Sequence, residues 1–274
     1  MALNDNTVHR TAGSGHGQWG HRLDELPTLP VVAQKVTALL QEPRSHGAQI
    51  AEVLSHDPVL TAKILKLVNT PYYSVPGGVT SVSRALAFLG FNTVSQLVLS
   101  VSVVNLFSAP AKGGASHEGG FSVASFWKNS LARAVVSRCL AKVNGEESEA
   151  EMAFTCGLLY EIGQMGLYVL GESTQDQKAV TSLSLALAEK WGLPKAMQKT
   201  WNDSGSHIFQ TVDLANQWVL GGLAEDTSIA MGHIQRRWLP SGESKGFEKD
   251  GEGFRKWVVK LREEIEKAGA LLSL

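Results

Sequence analysis

Two adjacent polar residues, Tyr160 and Glu161, stand at the end of a predicted helix whose other residues are mostly apolar. Leu158 and Leu159 precede the pair, and Gly163 follows it closely. This placement predicts that the Glu161 carboxylate points into the protein. A buried carboxylate needs a hydrogen-bonding or cationic partner, so this helix end is the first candidate for a functional site.

Other catalytic signatures do not occur in the sequence. It has no Gly-x-x-x-x-Gly-Lys-Ser/Thr phosphate loop, no Gly-x-Ser-x-Gly nucleophile elbow and no His-Glu-x-x-His zinc helix. Ser55-His56-Asp57 contains the residue types of a hydrolytic triad, but adjacent residues cannot converge on one substrate, so a turn between helices is predicted there. Among the eight histidines, His207 is the one candidate for a binding role.

Helix boundaries are frequent in the chain, and strand patterns are scarce. Asp57-Pro58 has the pattern of an N-cap followed by a first helical residue. Thr28 and Thr80 are predicted to cap two further helices, and Gly90 suits a helix C-terminus. We therefore predict an all-α fold, a helical bundle in two subdomains.

Composition divides the chain into segments. Residues 1–21 are polar and rich in Gly, Asn and His, which predicts a disordered lead and no signal peptide. Residues 22–107 are predicted to form a compact N-terminal bundle, and residues 122–221 a second helical subdomain. The Gly-rich stretch 108–121 between them is predicted to be a flexible loop. Residues 222–274 predict a C-terminal helical extension, whose last helix either packs on the protein or binds a partner.

Charge and apolar patterning limit the classes of partner. The formal net charge is −1 and the pI is near 6.7, so there is no bulk attraction to nucleic acid or anionic membranes. Nucleic-acid binding through Arg236-Arg237 is the weakest alternative. The most apolar run, Val94 to Phe107, is shorter than the roughly 20 residues that a bilayer span needs, so it is predicted to be a buried core helix. Cys139 and Cys156 fit buried thiols in a reducing compartment, and we expect a soluble, cytoplasmic protein.

Five short motifs resemble those of HDOD domains in order and spacing. They are Leu26–Pro30, Ser55–Pro58, Leu65–Thr70, Tyr72-Tyr73 and Val82–Gly90. HDOD domains are bacterial regulatory modules related to the HD phosphohydrolases, and the resemblance covers residues 22–221. It implies a helical fold and a role in signal transduction beside cyclic-dinucleotide enzymes or response regulators. Since no receiver, GGDEF or EAL segment is present in this sequence, such a partner is expected in trans.

The resemblance also places a metal site on this sequence. HD phosphohydrolases hold divalent metal with a His, a His-Asp pair and a later Asp, which together polarise phosphate and activate water. In this sequence Asn129 stands at the first His, Tyr160 and Glu161 at the pair, and Asn216 at the last Asp. We call these four the HD-frame positions. Only Glu161 keeps the charge of a ligand, so we predict no bound metal, no cofactor and no catalytic residue.

The HD-frame positions have two interpretations. In the first, they form a hydrogen-bonded network that fills the former metal cavity. In the second, the cavity survives as a small-molecule sensor pocket anchored by Glu161 and Asp203. Asn202 and Asp203 occupy the place where related sequences often carry paired histidines. A residual metal-dependent phosphohydrolase acting on a nucleotide or phosphoester is the alternative from another class.

The leading hypothesis is a non-catalytic regulatory module that works through protein contacts. Tyr72 and Tyr73 lie in a loop that extends to Val79 and are candidates for the partner surface, together with the C-terminal helices. The two rings could equally pack the loop onto the bundle. The sequence leaves open the partner, the signal and the oligomeric state.

Overall fold

A computed structural model describes residues 19–42, 47–70, 73, 75–107, 121–143, 146–220, 259, 261–263, 265 and 266. This part of the chain contains eleven α-helices and no β-strand, which confirms the predicted all-α fold. Tyr72, the loop 108–120, Arg236-Arg237 and most of the C-terminal extension lie outside the described residues. The helices are α1 (Arg22–Glu25), α2 (Val31–Leu39), α3 (Gly47–Ser55), α4 (Pro58–Val68), α5 (Val82–Leu106), α6 (Val123–Val143), α7 (Ala150–Leu159), α8 (Ile162–Val169), α9 (Gln177–Lys190), α10 (Lys195–Asn202) and α11 (His207–Leu220).

The buried apolar side chains form two cores that meet along α5. The smaller core lies among α2 to α5, and Val94 and Val98 of α5 belong to it. The larger core takes in α1 and α6 to α11, and Leu99 and Val103 of α5 belong to it. Leu261, from the C-terminal extension, is also buried in the larger core, so this part of the extension packs onto the protein.

Helix α5 is bent at a glycine. Gly90 was predicted to end one helix, and it has φ 79 at the point where two helical segments join into Val82–Leu106. The N-cap is Ser81, whose Oγ accepts a hydrogen bond from Arg84 N at 3.2 Å, and the predicted Thr80 cap is wrong by one residue. The helix is long and apolar enough to cross a membrane, but 61% of its apolar window is buried inside the bundle, as in a core helix.

The N-terminal residues pack on the larger core. Trp19 is buried, and its Nε1 donates to Ser182 Oγ on α9 at 3.1 Å. Arg22 forms an ion pair with Glu172 at 2.6 Å. The disordered lead predicted for residues 1–21 therefore does not extend to Trp19, because the large apolar surface of its indole ring is removed from water against α9.

Asp57 caps α4 as predicted. Its Oδ1 accepts a hydrogen bond from Leu60 N at 2.9 Å, and Pro58 is the first helical residue. We expect Asp57→Ala to lower the free energy of unfolding by about 1 kcal/mol, because the first turn loses its acceptor. Urea denaturation measures the change. Asp57→Asn is the matched control and should stay close to wild type, since asparagine caps equally well; equal losses in both variants would contradict the capping role.

The two cysteine thiols differ in burial. Cys139 is half-buried, whereas Cys156 is fully buried, and burial raises the pKa of the Cys156 thiol to about 12, with Thr200 opposing the rise through a hydrogen bond. We expect iodoacetamide at pH 8 to leave Cys156 unlabelled in the folded protein and to label it after denaturation, as peptide mass spectrometry would report. In the unfolded chain this thiol has its ordinary pKa of 9.0, so the stability contributed by Cys156 falls as the pH rises from 9.0 towards 12. Equal labelling rates in the folded and denatured protein would contradict this burial.

Candidate functional site

The junction between α7 and α8 carries Tyr160 and Glu161. Helix α7 ends at Leu159 and α8 begins at Ile162, with Glu161 as its N-cap residue. Tyr160 is 6% exposed and Glu161 is 8% exposed, so Glu161 lies inside the protein as predicted. The break between the two helices falls at this polar pair, and Gly163 lies inside α8.

The partner of this buried carboxylate is Arg133 of α6, which is 0% exposed. Its Nη1 donates to Glu161 Oε2 at 2.7 Å and to Asn216 Oδ1 at 2.5 Å. Its Nε donates to the Gly157 carbonyl oxygen at 2.9 Å, and Nη2 donates to Ser130 Oγ at 3.3 Å. Four hydrogen bonds therefore surround a side chain that has five N–H groups, which satisfies most of its donors.

Close packing of α6 against α7 allows the hydrogen bond from Arg133 Nε to the Gly157 carbonyl oxygen. A Cβ atom at Gly157 would lie 2.9 Å from the Cα of Ala134 and 2.9 Å from the carbonyl oxygen of Arg133. Real Cβ atoms do not approach backbone atoms so closely, so only glycine allows this separation of the two helices. The short separation brings the Gly157 carbonyl within reach of the guanidinium.

Tyr160 is held by both its backbone and its side chain. The Arg133 guanidinium carbon lies 5.5 Å from the centre of the Tyr160 ring, within cation–π range. The Tyr160 hydroxyl donates to Asp213 Oδ1 at 2.9 Å, and Trp201 Nε1 donates to the Tyr160 carbonyl oxygen at 2.8 Å. The phenol is therefore hydrogen-bonded to an acidic residue of α11.

The remaining predicted site residues lie apart from this network. Asn129 is exposed, one helical turn before Arg133 on α6. Asn202 is also exposed, and Asp203 is half-buried with its Oδ1 accepting from Gly205 N at 3.1 Å in the turn before α11. Of the HD-frame positions, the structure thus brings together Tyr160, Glu161 and Asn216, and not Asn129.

Sequence reasoning missed Arg133, although its surroundings gave a signal. It is the one charged residue among Leu131, Ala132, Ala134, Val135 and Val136, all of which are buried. A cation in the middle of an apolar helical run must find an internal acceptor, because an unpaired buried charge is very costly. That acceptor is Glu161, which was predicted to lie inside the protein.

This donor set does not fit a divalent metal ion. Such ions are bound by carboxylates, imidazoles or thiolates, and Glu161 is the single such group at the HD-frame positions. Its Oε2 already faces a guanidinium, which has only N–H donors and offers no lone pair to a metal. Arg133 thus provides a fixed internal cation beside the carboxylate, and we derive no chemical step through a metal at this position.

Tyr73, a candidate for the partner surface, is half-buried. Its ring packs against the smaller core, and the Arg138 guanidinium carbon lies 5.5 Å from the ring centre. The Tyr73 ring therefore packs its loop onto the bundle, which is the second of the two roles predicted for the loop tyrosines.

Comparison with known proteins identifies the class to which this fold belongs. A structure from Shewanella amazonensis SB2B, described as a candidate phosphohydrolase, aligns with a TM-score of 0.68 at 23% identity, covering 94% of this chain and 98% of that one. An HDOD domain protein of unknown function from Geobacter sulfurreducens aligns with a TM-score of 0.65 at 19% identity, covering 90% and 93% of the two chains. At these identities the likeness establishes the fold alone, which is all-helical.

The family follows from the sequence match. The HDOD domain profile matches residues 26–179, more than half of the chain. The chain belongs to the HDOD domain family, as the motif resemblance had indicated. Asn216 lies beyond the matched residues, and Arg133 and Glu161 lie within them.

Two further likenesses differ in coverage. A candidate signal transduction protein from Marinobacter aquaeolei VT8 aligns with a TM-score of 0.63 at 18% identity, covering 97% of this chain and 62% of that one. An uncharacterized protein of Treponema pallidum (strain Nichols) is 20% identical in an alignment of 200 residues, and the match covers 65% of this chain and 37% of that protein. The chain thus spans little more than a third of the length of this relative.

Proposed function

We propose that this chain is a non-catalytic regulatory module of bacterial signal transduction that acts in the cytoplasm through protein contacts made in trans. Its membership of the HDOD family supports the regulatory role, and a structurally similar protein from Marinobacter aquaeolei VT8 is described as a candidate signal transduction protein. Signalling proteins such as response regulators and cyclic-dinucleotide enzymes are the expected partners.

The observation that carries the non-catalytic part of the proposal is the position of Arg133. Its guanidinium lies 2.7 Å from Glu161, the one HD-frame residue with the charge of a metal ligand. Binding a divalent ion to that carboxylate would place two cations side by side in a site of low polarity, where their repulsion is only weakly screened. Arg133 would have to leave its four hydrogen bonds before a metal could enter.

The same network gives the module a physical means of holding its shape. Through Arg133, α6 is bonded to the end of α7 at Gly157, to the start of α8 at Glu161 and to α11 at Asn216. Buried charged networks that are fully bonded favour one packing arrangement over others. On this proposal the former catalytic centre fixes the relative positions of the helices that carry the recognition surface.

A residual metal-dependent phosphohydrolase is the alternative from another class. The names of two similar structures from Shewanella amazonensis SB2B favour it, since both are described as candidate phosphohydrolases. This alternative requires a metal ion to bind Glu161 although the Arg133 guanidinium already bonds to that carboxylate. The surviving-pocket interpretation has less support, because Glu161 and Asn216 both accept hydrogen bonds from Arg133 and Tyr160 donates to Asp213.

Turnover of phosphoesters tests the choice between the two classes. We expect the purified chain, supplied with Mn²⁺, Mg²⁺ or Zn²⁺, to hydrolyse bis(p-nitrophenyl) phosphate and nucleoside monophosphates no faster than its Glu161→Gln variant does. The Gln side chain keeps the shape of the carboxylate and removes its charge, so it is the matched control. Metal-dependent turnover that is present in the wild type and lost in Glu161→Gln would overturn the non-catalytic proposal.

Partner capture tests the second half of the proposal. We expect the immobilised full chain to retain a signalling protein from lysate of the source cell, and the purified pair to bind directly in titration calorimetry. A variant that lacks residues 225–274 shows whether the C-terminal extension supplies the contact. Leu261 belongs to the larger core, so the unfolding temperature of this variant must be checked before its binding is interpreted. If no purified signalling protein binds the full chain, the partner proposal fails.

Nucleic acid is not among the proposed partners. The net charge of −1 provides no general attraction to phosphate backbones, and we expect no salt-dependent shift of a labelled duplex. Such a shift, if it disappeared when both Arg236 and Arg237 were replaced by Ala, would restore the nucleic-acid alternative.

A further inference from the structure

The loop between α4 and α5 is held to the protein at two points. The Asn69 side chain donates to the Val79 carbonyl oxygen at 2.7 Å and accepts from Val79 N at 2.5 Å. Tyr73 packs against the smaller core, and the Arg138 guanidinium lies over its ring. Arg138 in turn forms an ion pair with Glu151 at 2.8 Å, and both side chains are 14% exposed. Tyr73 is thus committed to packing, and the exposed residues around this loop are better placed to meet a partner.

Arg84 and Phe88 form an exposed pair beside this loop. They stand four residues apart on the first segment of α5, and the Arg84 guanidinium carbon lies 5.5 Å from the centre of the Phe88 ring. A Cβ atom at Gly77 would lie 3.5 Å from Arg84 Nη2, so the arginine also borders the loop. Pro76, Gly77 and Ala87 are exposed as well. We call these five residues, Pro76, Gly77, Arg84, Ala87 and Phe88, the 76–88 surface.

Phe88 stands out because its aromatic ring is left in water. Of the Phe, Tyr and Trp residues that the structure describes, it is the one that is exposed, at 52%. The other side of the same helical segment packs inward through Ala85 and Leu86. The outer side of such an amphipathic helix is normally polar, and packing of the helix does not require an aromatic ring there. Aromatic and arginine side chains are the types enriched in the cores of protein interfaces.

The charges around this surface have one sign. Residues 58–107 form α4, the loop and α5, and they contain Lys63, Lys66 and Arg84 but no Asp or Glu. All three cations are exposed, although the net charge of the whole chain is −1. A region of one sign attracts a partner of the opposite sign and speeds their encounter. The charge of this region therefore complements an acidic partner.

We propose that the 76–88 surface binds an acidic segment of a partner protein, with Phe88 against an apolar side chain of the partner and Arg84 paired with a carboxylate. This inference rests on the proposed function and adds the chemistry of the partner. The hydrogen-bonded loop holds the surface in one shape, so little conformational freedom is lost on binding. A protein is favoured over a nucleic acid because Arg84 is the single cation of the surface, whereas phosphate backbones are bound by several Lys and Arg side chains.

Selection from a random dodecapeptide library on phage, with the immobilised full chain as bait, tests the proposal. We expect the enriched peptides to be acidic and to contain a large apolar residue. The affinity of a synthetic enriched peptide, measured by fluorescence anisotropy, should fall at least about tenfold in Arg84→Glu and in Phe88→Ala, as it does for residues that dominate an interface. Added salt should weaken the binding, because the charges that attract the peptide are exposed.

Two matched variants control for changes made elsewhere on the surface. Lys178→Glu reverses an exposed cation on α9, and Val169→Ala shortens an exposed apolar side chain on α8. Neither should change the peptide affinity. All four variants alter exposed side chains, so their unfolding temperatures should match the wild type. No enrichment, enriched peptides that are neutral or basic, or wild-type affinity in either Arg84→Glu or Phe88→Ala would overturn the proposal.

Other occupants of the surface give different results. Self-association of the chain that Arg84→Glu abolishes would assign the surface to a second copy, and a shift of a labelled duplex that Arg84→Glu abolishes would assign it to nucleic acid. Either result would overturn the acidic partner. A signalling protein that binds the wild type, Arg84→Glu and Phe88→Ala equally well would overturn this surface alone and leave the proposed function standing.

Discussion

Replacing Arg133 with Met is expected to lower the free energy of unfolding by about 3–5 kcal/mol, the range found when one partner of a buried ion pair is removed. The methionine fills much of the space, but the Glu161 carboxylate then lies buried without a cation. The Gly157 carbonyl and Asn216 also lose the donor that bonds to them. Urea denaturation followed by circular dichroism gives the change directly.

Two controls show that this loss comes from the buried charge. The double variant Arg133→Met/Glu161→Gln should recover a large part of the loss, because it leaves no uncompensated ion in the core. Arg22→Met breaks the ion pair with Glu172, whose side chains are 40% and 48% exposed, and should cost at most about 1 kcal/mol. A loss in Arg133→Met no greater than that in Arg22→Met would show that the guanidinium is not the buried partner of Glu161.

Gly163→Ala is expected to destabilise the protein by about 3 kcal/mol or more, at the upper end of the cost of overpacking a core. A Cβ atom at this position would lie 2.1 Å from the Val180 carbonyl oxygen and 2.9 Å from the Ser184 backbone nitrogen. Both are backbone atoms of α9, so α8 and α9 would have to separate. The hydrogen bond from Gly163 N to Ser184 Oγ, 2.9 Å long, would be disturbed as well.

Gly166, one turn further along α8, provides the matched control. A Cβ atom there would first meet Leu183 Cδ2, at 2.8 Å, which is the end of a flexible side chain. That leucine can rotate away, and alanine gains about 1 kcal/mol of helix propensity over glycine, so Gly166→Ala should cost clearly less than Gly163→Ala. Thermal unfolding of the two variants side by side measures the difference, and equal costs would show that the α8–α9 contact is not as tight as described.

Local signals in the sequence were sufficient for the fold class and for several helix ends. Asp57-Pro58 determines the start of α4 through a side-chain acceptor and a fixed backbone angle, both of which act within one turn. The burial of Glu161 was predicted from its position at the end of an apolar helix. Gly90 was predicted to end a helix. Its backbone is non-helical, with φ 79, but α5 continues beyond it.

The features that the sequence did not predict depend on contacts between distant parts of the chain. Arg133 lies 28 residues from Glu161 and 83 from Asn216, and no local pattern joins them. The HD phosphohydrolase pattern directed attention to Asn129, one turn earlier, where a metal ligand would stand. Trp19 was assigned to a disordered lead because its partner, Ser182 on α9, is 163 residues away.

The central claim is that the Arg133 guanidinium takes the place of a metal ion beside Glu161, and a crystal of the full chain soaked in MnCl₂ tests it most directly. Anomalous difference density locates manganese independently of the protein model. We expect Arg133 to remain bonded to Glu161 and Asn216, with no anomalous peak within bonding distance of Glu161. A manganese peak coordinated by Glu161, with Arg133 displaced from it, would contradict the account.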